Sequence, residues 1–178
     1  MPLLDTIYID MDGVLAGFDE HMIATFGIMK EQRLSSAERW ARINEYEASG
    51  HKWFADLPIK AGALAMVRDI YKLVKAGTVG RAVILTATGN NFWVHKQQKV
   101  WWVVNSDIGS HVSDIIVVPK AECKQYYANN RSVLIDDNWD RCVEPFIERG
   151  GFGIHHLQPE LTMMKLNNII AMLQRTSE

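Results

Sequence analysis

The sequence lacks what several protein classes require. It has no cluster of lysines and arginines, and its formal net charge is −2. A nucleic-acid polymer is therefore not the expected partner, although a small anion can be held locally. Cysteine is scarce. Cys123 and Cys142 are the only two, and they are not spaced as a metal-binding pair. A reducing compartment, the cytoplasm, is the simple expectation. No run of about 18 uncharged apolar residues occurs, so no membrane span is expected. The chain enters an apolar strand at once, without the basic-then-apolar pattern of a signal segment. Internal repeats and low-complexity tracts are absent. What remains is an ordinary globular composition, 48% hydrophobic and 22% charged over 178 residues. That supports one domain with a useful core and room for an insert.

The most informative stretch is Thr6 to Ala16. Ile7-Tyr8-Ile9 reads as a short buried strand. It ends in Asp10 and Asp12, followed by Gly13, which tolerates positive φ. Ligands bind at the carboxyl ends of strands in open α/β sheets, and two alternating acids there suit a cation or a phosphate. Asp10 can attack phosphorus as a carboxylate nucleophile. Asp12 can protonate the leaving oxygen and later take a proton from water. The bland alternative is a strand followed by an Asp-Gly turn.

Later strands decide between these readings. Ala82-Val83-Ile84-Leu85 ends at Thr86-Ala87-Thr88-Gly89-Asn90-Asn91. Hydroxyls, a glycine and amides before a helix suit either a phosphate cradle or a plain helix N-cap. Ile115 to Val118 ends at Pro119 and Lys120, a lysine able to reach a phosphate from a strand end. Val133-Leu134-Ile135 ends at Asp136-Asp137-Asn138, adjacent carboxylates that repel each other unless a cation or hydrogen bonds neutralise them. A helix from Cys142 to Glu148, a short strand at Phe152 to Ile154, and a last helix opened by Pro159 complete the pattern. Strands alternating with helices predict a parallel sheet with right-handed crossovers.

Between the first strand and Pro58 lies a helical stretch, residues 17–57. Phe18, Met22, Ile23 and Phe26 recur at helical spacing and Gly27 can close that helix, while Ser35 and Glu38 form a capping-box pattern for a second one. The two are core helices or a lid over the strand end. Trp53 and Phe54 follow, as core aromatics or as a stacking face for a nucleobase. In the helix after Asn91, Lys96 and Lys99 read as solvated, with one near the helix start able to approach the site.

Asp10-Met11-Asp12-Gly13-Val14, Thr86, Lys120 and Asp136-Asp137, in that order, resemble the four motifs of the haloacid-dehalogenase (HAD) superfamily of phosphohydrolases. The resemblance implies a Rossmann-like three-layer α/β/α fold with a five-stranded parallel sheet in the order 5-4-1-2-3. It implies a catalytic core of residues 1–16 and 58–178 and a small helical cap, of the type inserted after the first strand, at 17–57. It also implies Mg²⁺ and an aspartyl-phosphate intermediate. Asp10 would be nucleophile and metal ligand. Asp12 would be acid/base and would lend its backbone carbonyl to the metal. Asp137 would bind the metal directly and Asp136 through water. Thr86, Ala87, Thr88 and Lys120 would meet the phosphoryl group.

Asp10 to Phe18, Trp53 to Pro58, Lys99 to Trp102, Leu134 to Asn138 and Gly150 to Ile154 look most like the 5′(3′)-deoxyribonucleotidases. That implies a nucleoside monophosphate as small-molecule partner, with Phe18, Trp53 and Phe54 around the base. Another small phosphoester, such as a sugar phosphate, is the alternative substrate. A homodimer is compatible with this reading. The stretch after Thr86 departs from the nucleotidase pattern, which often has serine or alanine and then proline.

Overall fold

The computed structural model describes residues 1–28 and 34–176, so residues 29–33 of the expected insert lie outside the described residues. Five strands form one parallel sheet: β1 (Leu4–Ile9), β2 (Val79–Ala87), β3 (Asp114–Val118), β4 (Ser132–Asp136) and β5 (Phe152–His155). Their order, β3-β2-β1-β4-β5, is the expected 5-4-1-2-3 viewed from the other edge. β1 is central and pairs on both sides, with Ile9 level with Ile84 on β2 and Ile135 on β4.

β1 alternates its side chains between two buried faces. Ile7 and Ile9 join one core with Val67, Ile70, Trp102 and Leu166. Tyr8 joins a second, smaller core with Val83, Leu134 and Phe146. A parallel sheet covered on both faces requires near-continuous apolar strands, which is what these sequences supply. The first face is covered by α3 (Ala63–Lys75), α4 (Phe92–Asn105) and α6 (Pro159–Thr176), the second by α5 (Glu144–Glu148) and the short 3₁₀ segment Ala121–Tyr127.

α1 (Phe18–Phe26) and α2 (Ser36–Ala48) lie between β1 and α3. α1 ends at Gly27 in the left-handed conformation. α2 begins with a complete capping box: the Ser35 hydroxyl accepts from the Glu38 N–H and the Glu38 carboxylate accepts from the Ser35 N–H. Such caps contribute about 1 kcal/mol to a helix that has few apolar residues of its own.

The helical turn before α5 starts earlier than Cys142. Residues Trp139–Val143 form a wide, π-type turn, opened by the Asn138 side chain accepting from the Arg141 N–H. Pro145 has no N–H to give, which suits a register change just ahead of it. Among the described residues no helix is long and apolar enough to cross a membrane.

Candidate active site

β1 delivers Asp10 to a point between β2 and β4. The Asp10 N–H donates to the Ile135 carbonyl (2.9 Å), continuing the β1–β4 ladder by one residue. Its Oδ1 accepts from the Met11 N–H (2.8 Å) and from Lys124 Nζ (2.7 Å). Among the described residues Oδ2 has no such partner and is the oxygen free to react.

The chain then turns sharply, with the Leu15 and Ala16 N–H groups both donating to the Met11 carbonyl at 2.8 Å. Gly13 has φ of +79°, and a Cβ there would collide with the Asp137 carboxylate. Only glycine lets the first and fourth strand ends come this close. Asp136 is fully buried. Its Oδ1 accepts from the Asn138 N–H (2.9 Å) and its Oδ2 from Lys124 Nζ (2.7 Å).

Carboxylate oxygens of Asp10, Asp136 and Asp137 lie within 4.8 Å of one another. Removal from water, then the charges of Asp10 and Asp136, push Asp137 up to about 7. Burial raises Asp136 in the same way, with the Asp10 charge adding to it. Burial also raises Asp12, opposed by Lys99 and reinforced by Asp10. Burial works against a charge on Lys124, but Asp10 and Asp136 outweigh it and raise its pKa.

With all groups ionised, the carboxylates of Asp10, Asp12, Asp136 and Asp137 face the ammonium groups of Lys99 and Lys124. The surplus is two negative charges. Hard oxygen donors with that surplus fit one divalent cation such as Mg²⁺, which takes a few carboxylates and completes its shell with water or phosphate.

The lysine between the two acid pairs is Lys124, and this corrects the expectation for Lys120. Lys120 is exposed, and its side chain makes no hydrogen bond or ion pair among the described residues. β3 ends at Val118, and the 3₁₀ segment that follows carries the chain back over the strand ends one turn later, so Lys124 reaches the carboxylates instead. Lys99 is a second correction, since it is not solvated. It is fully buried, and its Nζ donates to Asp12 Oδ2 (2.6 Å) and to Thr86 Oγ1 (3.0 Å). A sequence signal for it existed. The buried face of α4 is His95, Gln98, Lys99, Trp102 and Val103, so a lysine stands at a core position of an amphipathic helix.

Thr86 is buried at the end of β2 and, accepting from Lys99, keeps its own proton to donate. Ala87 lines the pocket over the acids. Thr88 does not. It is buried, its hydroxyl has no partner, and its carbonyl lies 3.2 Å from His95 Nδ1. Asn91 stands before α4 but makes no side-chain cap.

The pocket holds about 460 Å³, in the range of small-molecule sites. Phe18, Trp40 and Ile43 form its apolar wall, and Ser36 and Arg39 add polar groups. Trp53 and Phe54 do not line it, which corrects the expectation that they face a base. Trp53 is wholly buried against Phe18, His21, Phe26 and Tyr46. Phe54 is 2% exposed, with its ring over Lys99 Nζ at 4.3 Å. Two adjacent aromatics in a tight segment found more apolar area to cover between α1, α2 and α4 than at the pocket. Trp40, one helical turn into α2, is the aromatic that the sequence reading passed over. It stacks on His95 and lies so close to Gly89 that a Cβ there would collide with it.

No family model matches the chain, and no curated protein matches it in sequence. Solved structures do match in fold. A haloacid dehalogenase-like family hydrolase from Xanthomonas campestris superposes with a TM-score of 0.61 at 15% identity, over 98% of this chain and 95% of that one. YfnB of Bacillus subtilis, assigned to the HAD-hydrolases and bound to magnesium, gives 0.56 at 13% identity, over 94% and 99%. The L-2-haloacid dehalogenase of Xanthobacter autotrophicus, with chloropropionic acid covalently bound, gives 0.54 at 14% identity, over 92% and 87%. At these identities the likeness establishes the fold, and the chain has the Rossmann-like α/β fold of the HAD-like hydrolases.

Proposed function

We propose that this chain is a Mg²⁺-dependent phosphomonoester hydrolase of the HAD type, acting on nucleoside monophosphates, 5′(3′)-deoxyribonucleotides among them. The observation that carries the reading is the pair Asp10 and Asp12 on one strand end, each held by a buried lysine, beside the acids of β4. Asp10 Oδ2 attacks phosphorus as the ester P–O bond breaks. Asp12, through its unpartnered Oδ1, gives a proton to the departing oxygen. Asp12 then takes a proton from water as that water attacks the aspartyl phosphate. Inorganic phosphate leaves and Asp10 is regenerated.

Lys124 neutralises charge on the phosphoryl oxygens and holds Asp10 Oδ1 in an ion pair. Asp10, Asp136 and Asp137 would hold the metal, with the Asp12 carbonyl beside them, and the metal would supply further positive charge to the same oxygens. The backbone at Ala87, which lines the pocket, would meet the phosphoryl group from β2, next to the buried Thr86.

Residues 17–57 serve as the cap. Its aromatic pocket residues Phe18 and Trp40 support a base-bearing substrate over a sugar phosphate, because a base offers a face to stack on. A haloacid dehalogenase reading is less well supported. Halide departs without a proton, which would leave Asp12 only the deprotonation of water and give its role as proton donor no use.

The test is phosphate release from a panel of nucleoside monophosphates and sugar phosphates with Mg²⁺. Faster release from nucleotides is expected. Sugar phosphates turned over faster would move the assignment to the alternative substrate, and no release from any phosphoester would end it.

A further inference from the structure

Lys99 has no part in the phosphoryl contacts just described, yet it is as completely enclosed as Asp136. Lysine is rarely fully buried without a partner, and a buried ion pair is weak evidence for stability, because well-packed apolar residues often serve as well. Each side of its ammonium group is accounted for. One N–H goes to Asp12 Oδ2 at 2.6 Å and one to Thr86 Oγ1 at 3.0 Å, and the Phe54 ring lies over Nζ at 4.3 Å.

The lysine does not line the pocket, so it offers no donor to a substrate. Lys124, by contrast, does line it. Asp12 is left asymmetric. Oδ2 is engaged, while Oδ1 is buried and has no hydrogen-bond partner. A buried carboxylate oxygen without a partner is costly to keep, and it is the one side-chain oxygen of Asp12 that remains free for a reacting group.

We propose that Lys99 is a positioning residue that pins Oδ2 of Asp12, and so selects Oδ1 as the atom that exchanges the proton with the leaving group. Thr86 and Phe54 hold Nζ in place, one by accepting from it and the other by covering it from water. This inference rests on the phosphoester reading and makes a narrower claim. Lys99 acts on departure of the leaving group, not on phosphate binding.

The experiment compares Lys99→Met with the wild type on two esters: p-nitrophenyl phosphate, whose leaving group departs without a proton, and a nucleoside monophosphate, whose alkoxide needs one. The quantity read is kcat/KM, which covers the steps through departure of the leaving group. General acid catalysis contributes about 10²–10⁴-fold. The expected loss is therefore about a hundredfold or more on the nucleotide and less than about fivefold on the aryl ester.

Lys99→Gln retains an N–H donor near Asp12 and should recover part of the difference. It also serves if Lys99→Met does not fold. Equal losses on the two esters in a folded variant would overturn the proposal, as a merely structural lysine predicts that result. A second readout is independent of turnover. The side-chain ¹⁵N resonance of Lys99, identified by its loss in Lys99→Gln, should move in Asp12→Asn. An unmoved resonance overturns the pinning itself. Absence of phosphatase activity in the wild type with a resonance that does move would remove the proposed function and leave Asp12 held as described.

Discussion

The two buried lysines of the site are matched in chemistry and opposite in accessibility. Lys124 comes from a 3₁₀ segment, divides its charge between Asp10 and Asp136, and opens onto the pocket. Lys99 comes from a helix, takes one carboxylate and one hydroxyl, and is roofed by a phenyl ring. The first is set among charges that a substrate and a cation would also touch. The second is sealed into the fold. Burial alone does not give a lysine its role; what its remaining N–H groups can still reach does. On the proposed function, the site separates charge neutralisation, on the β4 side, from proton management, on the α4 side.

The most drastic way to break the comparison is to remove the carboxylate that Lys124 serves. Asp10→Asn should lower turnover at least about a thousandfold while the folded spectrum is kept, because an amide cannot act as the nucleophile. Near wild-type turnover in the purified variant would remove Asp10 from that role. Next is the lysine itself. Lys124→Met strands two carboxylates, and losing one partner of a buried pair costs about 3–5 kcal/mol, read as a fall in the denaturant midpoint. Lys120→Met should stay within about 0.5 kcal/mol of the wild type and keep its activity, as an exposed substitution does. The reverse ranking would return the phosphate role to Lys120.

Metal addition sharpens the same contrast. Chelation should abolish activity and Mg²⁺ restore it. Mg²⁺ at about a hundred times its Kd should raise stability by about 2.7 kcal/mol, and by less in Asp137→Asn.

Asp137 makes a contribution of definite sign to the pH dependence of the metal-free protein. Asp137 is pushed up to about 7, above the ordinary carboxylate value it has when unfolded. Between about pH 4 and pH 7 the folded Asp137 carboxyl therefore binds more protons than the unfolded one, so its contribution to stability falls as pH rises through that window, while His156, pushed down by burial to about 4, contributes the opposite slope. Mg²⁺ should remove the Asp137 part of the slope, which thermal melts across pH with and without the ion, repeated on Asp137→Asn, would show.

Substrate choice separates two tryptophans. Trp40→Ala should cost a nucleotide about 1–3 kcal/mol of transition-state binding, relative to a phosphoester without a base. Trp53→Ala should instead destabilise the fold by about 3–5 kcal/mol and affect both substrates alike. Equal effects of Trp40→Ala on the two substrates would take base stacking out of the pocket.

The acids were legible in the sequence because each pair follows an apolar run, and a strand's direction fixes where its end points. The parallel sheet was legible for a similar reason. Strands buried on both faces leave apolar runs such as Ala82 to Leu85 and Val133 to Ile135. The lysines were harder to see. Lys124 lies one turn beyond a strand end, and the path of that turn depends on packing against α5 and β4. Lys99 was visible only as a charge out of place on the apolar stripe of α4. Trp53 and Phe54 were ambiguous because a buried aromatic and a ligand-facing one have the same composition. What separates them is where α1 and α2 leave space.

The central place of β1 has a consequence for how the chain acquires the site. One edge of β1 can be satisfied by β2, but the other waits for β4, separated from it by most of the chain. Asp10 is thus among the first residues made, and the acids that complete its cluster are made late. The cluster is a record of completed long-range pairing, and a chain stopped before Asp136 has no way to assemble it. Stabilisation by Mg²⁺ should accordingly arise all at once when a growing chain has released Asp137, which makes ion-dependent resistance to proteolysis a direct indicator that β4 has paired with β1.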